Sequence, residues 1–220
     1  MLDLIDKWNL SFGDVVAFAL KCGQLHVALR ILRKCTDVTC LRKTDGDGRT
    51  LLHVLALSSA SSGEMNRTQI TVVDKLFDAG IPPSAVDKFG CNFFHYCGFN
   101  HAVGMASHCW LKIRDEEEIE KIFSARTNVL KQTVATSVVW KIGAAGGGEN
   151  AKNEAISWIS SCECYGGDLN ATAIFPEVKP TDFGEFAGKF DHLKYFTEGG
   201  GENAAESKLA EKTLLQIGKG

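Results

Sequence analysis

Two stretches of the sequence share one pattern, and they constrain the fold more than any other feature. The first runs Asp47-Gly48-Arg49-Thr50-Leu51-Leu52-His53, and the second runs Asp87-Lys88-Phe89-Gly90-Cys91-Asn92-Phe93-Phe94-His95. Each passes from a glycine turn to a residue that can cap a helix, then to two apolar residues and a histidine. The segment 72–80 between them is amphipathic and ends at a glycine, as helices commonly do. The pattern predicts repeated pairs of helices that stack and bury a shared core.

This order of turn, helix, helix and glycine-ended loop resembles the ankyrin repeat. The resemblance covers residues 12–112, about three repeats, and is closest in the second and third. Leu51 stands where the family has proline, and residues 58–67 form a polar insertion between the two helices of the second repeat. The resemblance implies that His53 hydrogen-bonds across its turn. It assigns framework positions to Gly48, Thr50, Leu52, His53, Gly80, Gly90 and His95.

The first repeat is predicted to be degenerate. Apolar residues recur at helical spacing over residues 14–34, and Cys22-Gly23-Gln24 interrupts them, which predicts two short antiparallel helices. Ala19 and Gly23 match the family pattern, whereas Phe12 replaces the opening glycine. Terminal repeats are commonly atypical in this way, so we place the first repeat here.

Composition places the chain among ordinary globular proteins and gives no electrostatic reason to expect a nucleic-acid or lipid partner. Of its 220 residues, 45% are hydrophobic and 23% are charged, with a net charge of −3. The sequence contains no apolar run long enough to span a bilayer and no signal-peptide pattern at its start. Eight scattered cysteines favour free thiols in a reducing compartment. We therefore expect an intracellular protein, with the cytoplasm preferred and an organelle kept as the alternative.

The second half of the sequence changes character. Asp115 to Glu118 predict the start of a helix that caps the repeats, and residues 134–142 are β-branched and aromatic, which predicts a strand. A helix is predicted over 151–160 and irregular structure over 162–182. The hexapeptide Gly-Gly-Gly-Glu-Asn-Ala occurs twice, at 146–151 and 199–204.

The predicted fold class is mainly α: an ankyrin-type helical solenoid followed by a smaller, partly irregular α/β C-terminal region. The predicted divisions are an N-terminal segment at 1–11, a repeat domain with its capping helix at 12–133, and a glycine-rich region at 134–220. This last region is interpreted as a docking segment.

No residue pattern indicates catalysis. The glycine-rich turns lack the Lys-Ser or Lys-Thr pair of a phosphate-binding loop, and no nucleophile signature is present. Cys162-x-Cys164 has no second pair at zinc spacing. The residues Cys91, His95, Cys97, His101, His108 and Cys109 are rich in metal-ligand atoms, but the first three of these fall on framework positions. We expect no enzyme activity, cofactor or metal.

The leading hypothesis is an interaction scaffold that binds protein partners through the turns and the concave face of the inner helices. The candidate binding residues are Asp45, Asp47, Arg49, Asp87, Lys88 and Phe89 at the turns, followed by Glu64 and Arg67 in the insertion. One alternative is a structural subunit of a large assembly. The other is a fragment of an ankyrin-containing poly(ADP-ribose) polymerase, because Val138-Val139-Trp140 resembles part of a WGR domain.

Overall fold

The computed structural model describes residues 11–58, 65–100, 102–127, 131–138 and 149–167, and helices predominate throughout this part. Its eight α-helices are α1 Phe12–Lys21, α2 Leu25–Leu32, α3 Leu51–Ser58, α4 Arg67–Asp78, α5 Phe93–Phe99, α6 Val103–Trp110, α7 Glu116–Ser124 and α8 Glu149–Cys164. Two 3₁₀ helices, Val38–Arg42 and Thr136–Val138, complete the described elements. The mainly helical prediction is confirmed, and the described residues contain no strand.

Local sequence explains where several of these helices begin. The Ser11 side chain accepts a hydrogen bond from the Asp14 amide, and the Asp14 carboxylate accepts one from the Ser11 amide, which closes a capping box on α1. Asn66 and Gln69 form the same reciprocal pair on α4. Between α1 and α2 the chain turns at Gly23, whose φ of 67° lies in the left-handed region.

The helices stack in two parallel rows. One row contains α1, α3 and α5 and ends at the 3₁₀ helix Thr136–Val138, with each member packed on the next. The other row contains α2, α4, α6 and α8, again in successive contact. The described chain therefore forms four layers, each with one element from either row, and buried apolar residues from all four form one core cluster.

The fourth layer corrects the strand predicted over 134–142. Val134 and Ala135 form a turn and Thr136–Val138 a 3₁₀ helix, while residues 139–142 lie outside the described part. The segment packs so tightly on α5 that a Cβ at Gly98 would lie 1.8 Å from the Ser137 hydroxyl oxygen. Trp158 of α8 donates its indole N–H to the Val134 carbonyl at 2.9 Å. Burial against α5 thus overrides the β propensity of this run.

Helix α8 corrects the prediction for the segment after residue 160. It continues to Cys164, so the irregular structure predicted from residue 162 begins later than expected. Ala155, Trp158, Ile159 and Cys162 of this helix are buried, whereas Ile156, predicted to share the apolar side, is exposed. The second glycine hexapeptide, at 199–204, lies outside the described residues.

Helix α7 joins the third layer to the fourth rather than ending the stack, since α8 packs on α6 beyond it. Asp115 caps α7, and the three glutamates of its first turn favour the helix dipole, as predicted. Phe123 stacks on Trp110 with ring centroids 5.1 Å apart, and Tyr165 stacks on the same indole. The proposed division at residue 133 remains a prediction, and the packing described here crosses it. None of the described helices is long and apolar enough to cross a membrane.

Candidate interaction surface at the turns

The first turn, residues 45–50, is held by the side chain and backbone of Asp45. The Asp45 carboxylate accepts hydrogen bonds from the amides of Asp47 and Arg49, at 2.9 and 3.0 Å. Its own amide donates to the Arg49 carbonyl at 3.0 Å, and the Gly48 amide donates to the Asp45 carbonyl at 2.9 Å. Gly48 has a φ of 78°, a conformation in which a Cβ is strained. The turn therefore needs Asp at its start and Gly at this position.

The second turn, residues 87–92, repeats this geometry. The Asp87 carboxylate accepts from the amides of Phe89 and Cys91, both at 2.9 Å. The Asp87 amide donates to the Cys91 carbonyl, and Gly90, with a φ of 77°, donates to the Asp87 carbonyl. The two turns also bond to each other, since the Lys88 amide donates to the Asp47 carbonyl at 2.9 Å. The two turns thus share one hydrogen-bonding geometry.

His53 connects the first turn to the second. Its Nδ1 accepts the Thr50 amide at 3.0 Å, so Nε2 carries the proton and donates to the Cys91 carbonyl at 3.0 Å. The ring is fully buried, and burial lowers the pKa of His53 below its usual value of 6.5. The neutral imidazole is therefore the form that fits this position.

His95 occupies the equivalent place one layer further along. Its Nδ1 faces the Asn92 amide at 3.2 Å, and its Nε2 donates to the Gln132 carbonyl at 3.1 Å. Asn92 caps α5 by accepting the amides of Phe94 and His95. The contact predicted for His53 is therefore present, His95 makes the same kind of contact, and each histidine reaches into the following layer.

A third turn of the same kind was not predicted from the sequence. The Thr127 amide donates to the Gln132 carbonyl at 3.0 Å, and Lys131 has a φ of 52°, in the region where Gly48 and Gly90 lie. The Thr133 amide donates to the Thr136 hydroxyl at 2.8 Å, just as the Thr50 amide donates to Nδ1 of His53. The available signal was Thr133-Val134-Ala135-Thr136, which matches Thr50 to His53 in spacing and in its central apolar pair.

Two of the predicted binding residues are buried rather than exposed. Arg49 and Asp87 are each only 5% exposed. The Tyr96 hydroxyl joins them, since it donates to the Asp87 carboxylate at 2.5 Å and accepts from Arg49 Nε at 3.4 Å. Burial raises the pKa of Tyr96, which keeps the hydroxyl a donor. This triad supports the turns from inside, and Tyr96 was not identified from the sequence.

The other predicted turn residues lie nearer the surface. Asp47 forms ion pairs with Arg49, at 3.1 Å, and with Lys88. The Lys88 ammonium also lies 4.9 Å from the centre of the half-buried Phe89 ring. Asp45 is paired with Lys21 at 3.6 Å. We define the turn ridge as Asp47, Lys88 and Phe89 together with the exposed residues Lys43, Thr44 and Gly46.

The remaining predicted positions are placed as follows. Gly80 follows α4 with a φ of 72°, and Leu52 is fully buried in α3. Arg67 is exposed as the first residue of α4, while Glu64 lies outside the described residues.

The concave face of the inner helices is not available as predicted. All seven residues of α5 are buried, and so are Leu51 to Ala56 of α3. Phe94 stacks face to face on Trp110, with centroids 3.6 Å apart, and Tyr96 meets His53 edge to face. Because these residues of α3 and α5 are buried, an interaction surface in the described part must use other residues, such as those of the turns, the second row of helices or the ends of the stack.

The described cysteines and histidines of residues 91–109, a set that leaves out His101, form no metal-ligand cluster. Among the described residues, no group of three or more His, Cys, Asp or Glu side chains is arranged to hold a metal ion. Burial raises the pKa of the thiols of Cys91, Cys97 and Cys109, which disfavours the thiolate that a metal would bind. Cys91, Cys97 and Cys109 therefore serve as core packing, and His108 pairs with Asp74.

Comparison with known proteins does not assign the chain to a group. No protein-family model matches the sequence, and no curated protein matches it significantly.

Proposed function

We propose that this chain is an ankyrin-type interaction scaffold, without catalytic activity, that binds protein partners through the turn ridge. The observation that carries the proposal is the recurrence of one turn geometry in successive layers, with His53 and His95 bonded into the next turn. Such a construction holds the tips of adjacent turns at a fixed separation. Fixed, exposed tips on a buried helical stack provide a rigid surface for recognition of another protein.

The chemistry of the ridge favours an acidic partner segment. Lys43 is exposed, and the Lys88 side chain is 47% exposed although it pairs with Asp47. Surface ion pairs of this kind contribute only about 0–1 kcal/mol, so a carboxylate of a partner can share or replace the pairing at little cost. Phe89 adds a half-buried aromatic surface beside the lysine. The partner is therefore expected to present acidic residues next to an apolar one.

A charge-change experiment tests this proposal. The full tagged chain and a Lys43→Glu/Lys88→Ala variant are recovered from a gentle extract of the source cells, and co-purifying proteins are quantified by mass spectrometry. The matched control is Arg30→Glu, a charge reversal at an exposed position of α2. We expect at least one partner to fall about tenfold with the ridge variant and to stay constant with the control. Equal recovery of every partner by all three chains would reject the ridge as the binding surface.

Two exposed apolar side chains support a second candidate, a structural subunit of a large assembly. Phe18 of α1 is 69% exposed and Leu111, which follows α6, is 66% exposed. Burial of these side chains against a neighbouring subunit would remove their apolar surface from water, which favours association. The test is the native size of the polypeptide in the same extract. Migration with a fixed set of proteins far above its own mass of 23.9 kDa would support the subunit, and migration near that mass would reject it.

The poly(ADP-ribose) polymerase alternative receives no comparable support. Of the residues that suggested it, Val138 lies in a 3₁₀ helix, and Val139 and Trp140 are outside the described part.

A further inference from the structure

Two cysteines in the connection between α2 and the first turn have their sulfur atoms in contact. Cys35 Sγ lies 3.6 Å from Cys40 Sγ. Both thiols donate to one acceptor, the Asp37 carbonyl, at 3.1 and 2.9 Å. All eight cysteines fall in the described part of the chain, and this is the pair whose sulfur atoms meet.

The geometry points to a dithiol site: we propose that Cys35 and Cys40 form a reversible intramolecular disulfide when the chain meets a small-molecule disulfide such as oxidised glutathione. Cys35 is half-buried and accessible to the reagent, whereas Cys40 is only 8% exposed. The Cys35 thiolate attacks one sulfur of the reagent, which forms a mixed disulfide and releases one glutathione thiolate. Cys40 then gives its proton to solvent and attacks Cys35 Sγ, which releases the second glutathione. Two protein thiols are oxidised, and the reagent's one disulfide is reduced to two thiols.

The site lies where such a bond would join parts of the first two layers. Cys40 belongs to the 3₁₀ helix Val38–Arg42, whose Arg42 donates to the Ala79 carbonyl at the end of α4. The Cys40 carbonyl also lies against α1, where a Cβ at Gly13 would be 2.3 Å from it. A disulfide would tie the end of α2 to this packed 3₁₀ helix, and so fix the connection that leads into the turn ridge.

Burial and the neighbouring Cys40 thiol raise the pKa of Cys35 to about 11. Little thiolate is therefore present at neutral pH, and the rate of the first step should rise about tenfold for each pH unit between pH 7 and pH 9. The second step is intramolecular, and this favours the disulfide at equilibrium.

The experiment uses the reduced full chain in glutathione buffers of increasing oxidised content. Samples are quenched with acid, alkylated, digested and analysed by mass spectrometry. We expect the peptide or peptides containing residues 35 and 40 to lose two hydrogens and to resist alkylation. This should occur at an oxidised glutathione concentration about tenfold lower than the one that modifies the exposed Cys22. Reduction with dithiothreitol should restore both thiols.

Two single variants separate an internal disulfide from simple exposure. Cys40→Ser should accumulate a glutathione adduct at Cys35, because the second thiol is missing, whereas Cys35→Ser should leave Cys40 unmodified. A wild-type chain that keeps both thiols, or carries only a glutathione adduct on Cys35, in buffers that fully modify Cys22 would overturn the proposal. Because the wild-type peptide mass decides this alone, the test stands even if a variant fails to fold.

Discussion

The first turn and the third turn, which brings Thr127 against Lys131 and Gln132, make equivalent backbone hydrogen bonds and carry different side chains. In the first, the Arg49 amide bonds to the Asp45 carboxylate, and in the third the Gln132 amide bonds to the Thr127 hydroxyl. The difference lies in how far each turn reaches. His53 extends to the Cys91 carbonyl of the next turn, while the Thr136 hydroxyl bonds within its own turn, to Thr133. A histidine thus links two layers, whereas a threonine closes only one turn.

The largest expected effect comes from removing the side chain that links layers. His53→Ala leaves the buried Thr50 amide without its partner, removes one of the two hydrogen bonds to the Cys91 carbonyl and opens a cavity, so we expect a loss of about 3–5 kcal/mol in the free energy of unfolding. Thr136→Ala should cost only about 1 kcal/mol, because its bonds are local.

Urea unfolding of the full chain, followed by circular dichroism, measures both losses. His26→Ala is the control, because His26 is exposed on α2 and its loss should change stability by less than about 0.5 kcal/mol. Equal losses for His53→Ala and Thr136→Ala would contradict the distinction between linking and local side chains.

The first and third turns also show how much of this structure could be predicted from the sequence. The first two turns were recognisable because glycine and histidine recur at both. Glycine is favoured there by the positive φ, and histidine by a ring that forms hydrogen bonds through both of its nitrogens. The third has Lys131 and Thr136 at these places, and one more residue separates Thr127 from Lys131 than Asp45 from Gly48. The third turn has the same backbone geometry with other side chains, so the side-chain pattern did not indicate it.

The candidate surface was only partly predictable for a related reason. A charged residue in a turn is normally exposed, and the prediction treated Arg49 and Asp87 in that way. Both side chains hydrogen-bond to the Tyr96 hydroxyl, which lies on a helix and comes nine residues after Asp87 in the sequence. A tertiary partner of this kind leaves no local mark in the sequence.

A second prediction tests how closely the third turn is packed on the layer before it. Gly98→Ala would place a Cβ 1.8 Å from Ser137 Oγ and 3.1 Å from the Trp158 ring, so the 3₁₀ helix must move away from α5. We expect a loss of about 1–3 kcal/mol in the free energy of unfolding. Gly46→Ala, in the first turn, is the control because nothing lies within 4 Å of its added Cβ.

Combining Gly98→Ala with Ser137→Ala sharpens this test. Removal of the Ser137 hydroxyl should recover part of the loss, so the two changes together should cost less than their sum. Strict additivity in urea unfolding would show that the fourth layer does not pack on Gly98 as described.

The third prediction concerns pH, to which the turn held by His53 should respond near neutrality. Burial lowers the pKa of His53, so the unfolded chain binds a proton before the folded chain does. This contribution to stability is fully present above the unfolded pKa of about 6.5 and is lost as pH falls below it, at up to about 1.4 kcal/mol per pH unit. The loss stops once pH is below the folded pKa.

His53→Gln is the variant that isolates this contribution. Its free energy of unfolding, measured by urea between about pH 7.5 and pH 5, should fall less steeply than that of the wild type. The Asp14 carboxylate does not interfere in this window. The hydrogen bond from Ser11 lowers the pKa of Asp14 below 3.8, so its contribution is lost only in more acidic solution. If the free energy of unfolding changed with pH at the same slope in both chains, His53 would not be the source of the pH dependence.

The smallest expected effect tests the backbone equivalence itself, through the residue at positive φ. Gly48→Ala should destabilise the chain by about 1–2 kcal/mol, because the left-handed region is unfavourable for a residue with a Cβ. Lys131→Gly should act in the opposite direction. It relieves the same strain at a φ of 52°, but it also increases the freedom of the unfolded chain, so the net gain should be about 0.5 kcal/mol.

Urea midpoints measured side by side resolve both changes, with Lys43→Gly as a loop control that lacks positive φ and should only destabilise. If Lys131→Gly destabilised as much as Lys43→Gly, residue 131 would not adopt the conformation of Gly48, and the third turn would not be equivalent to the first.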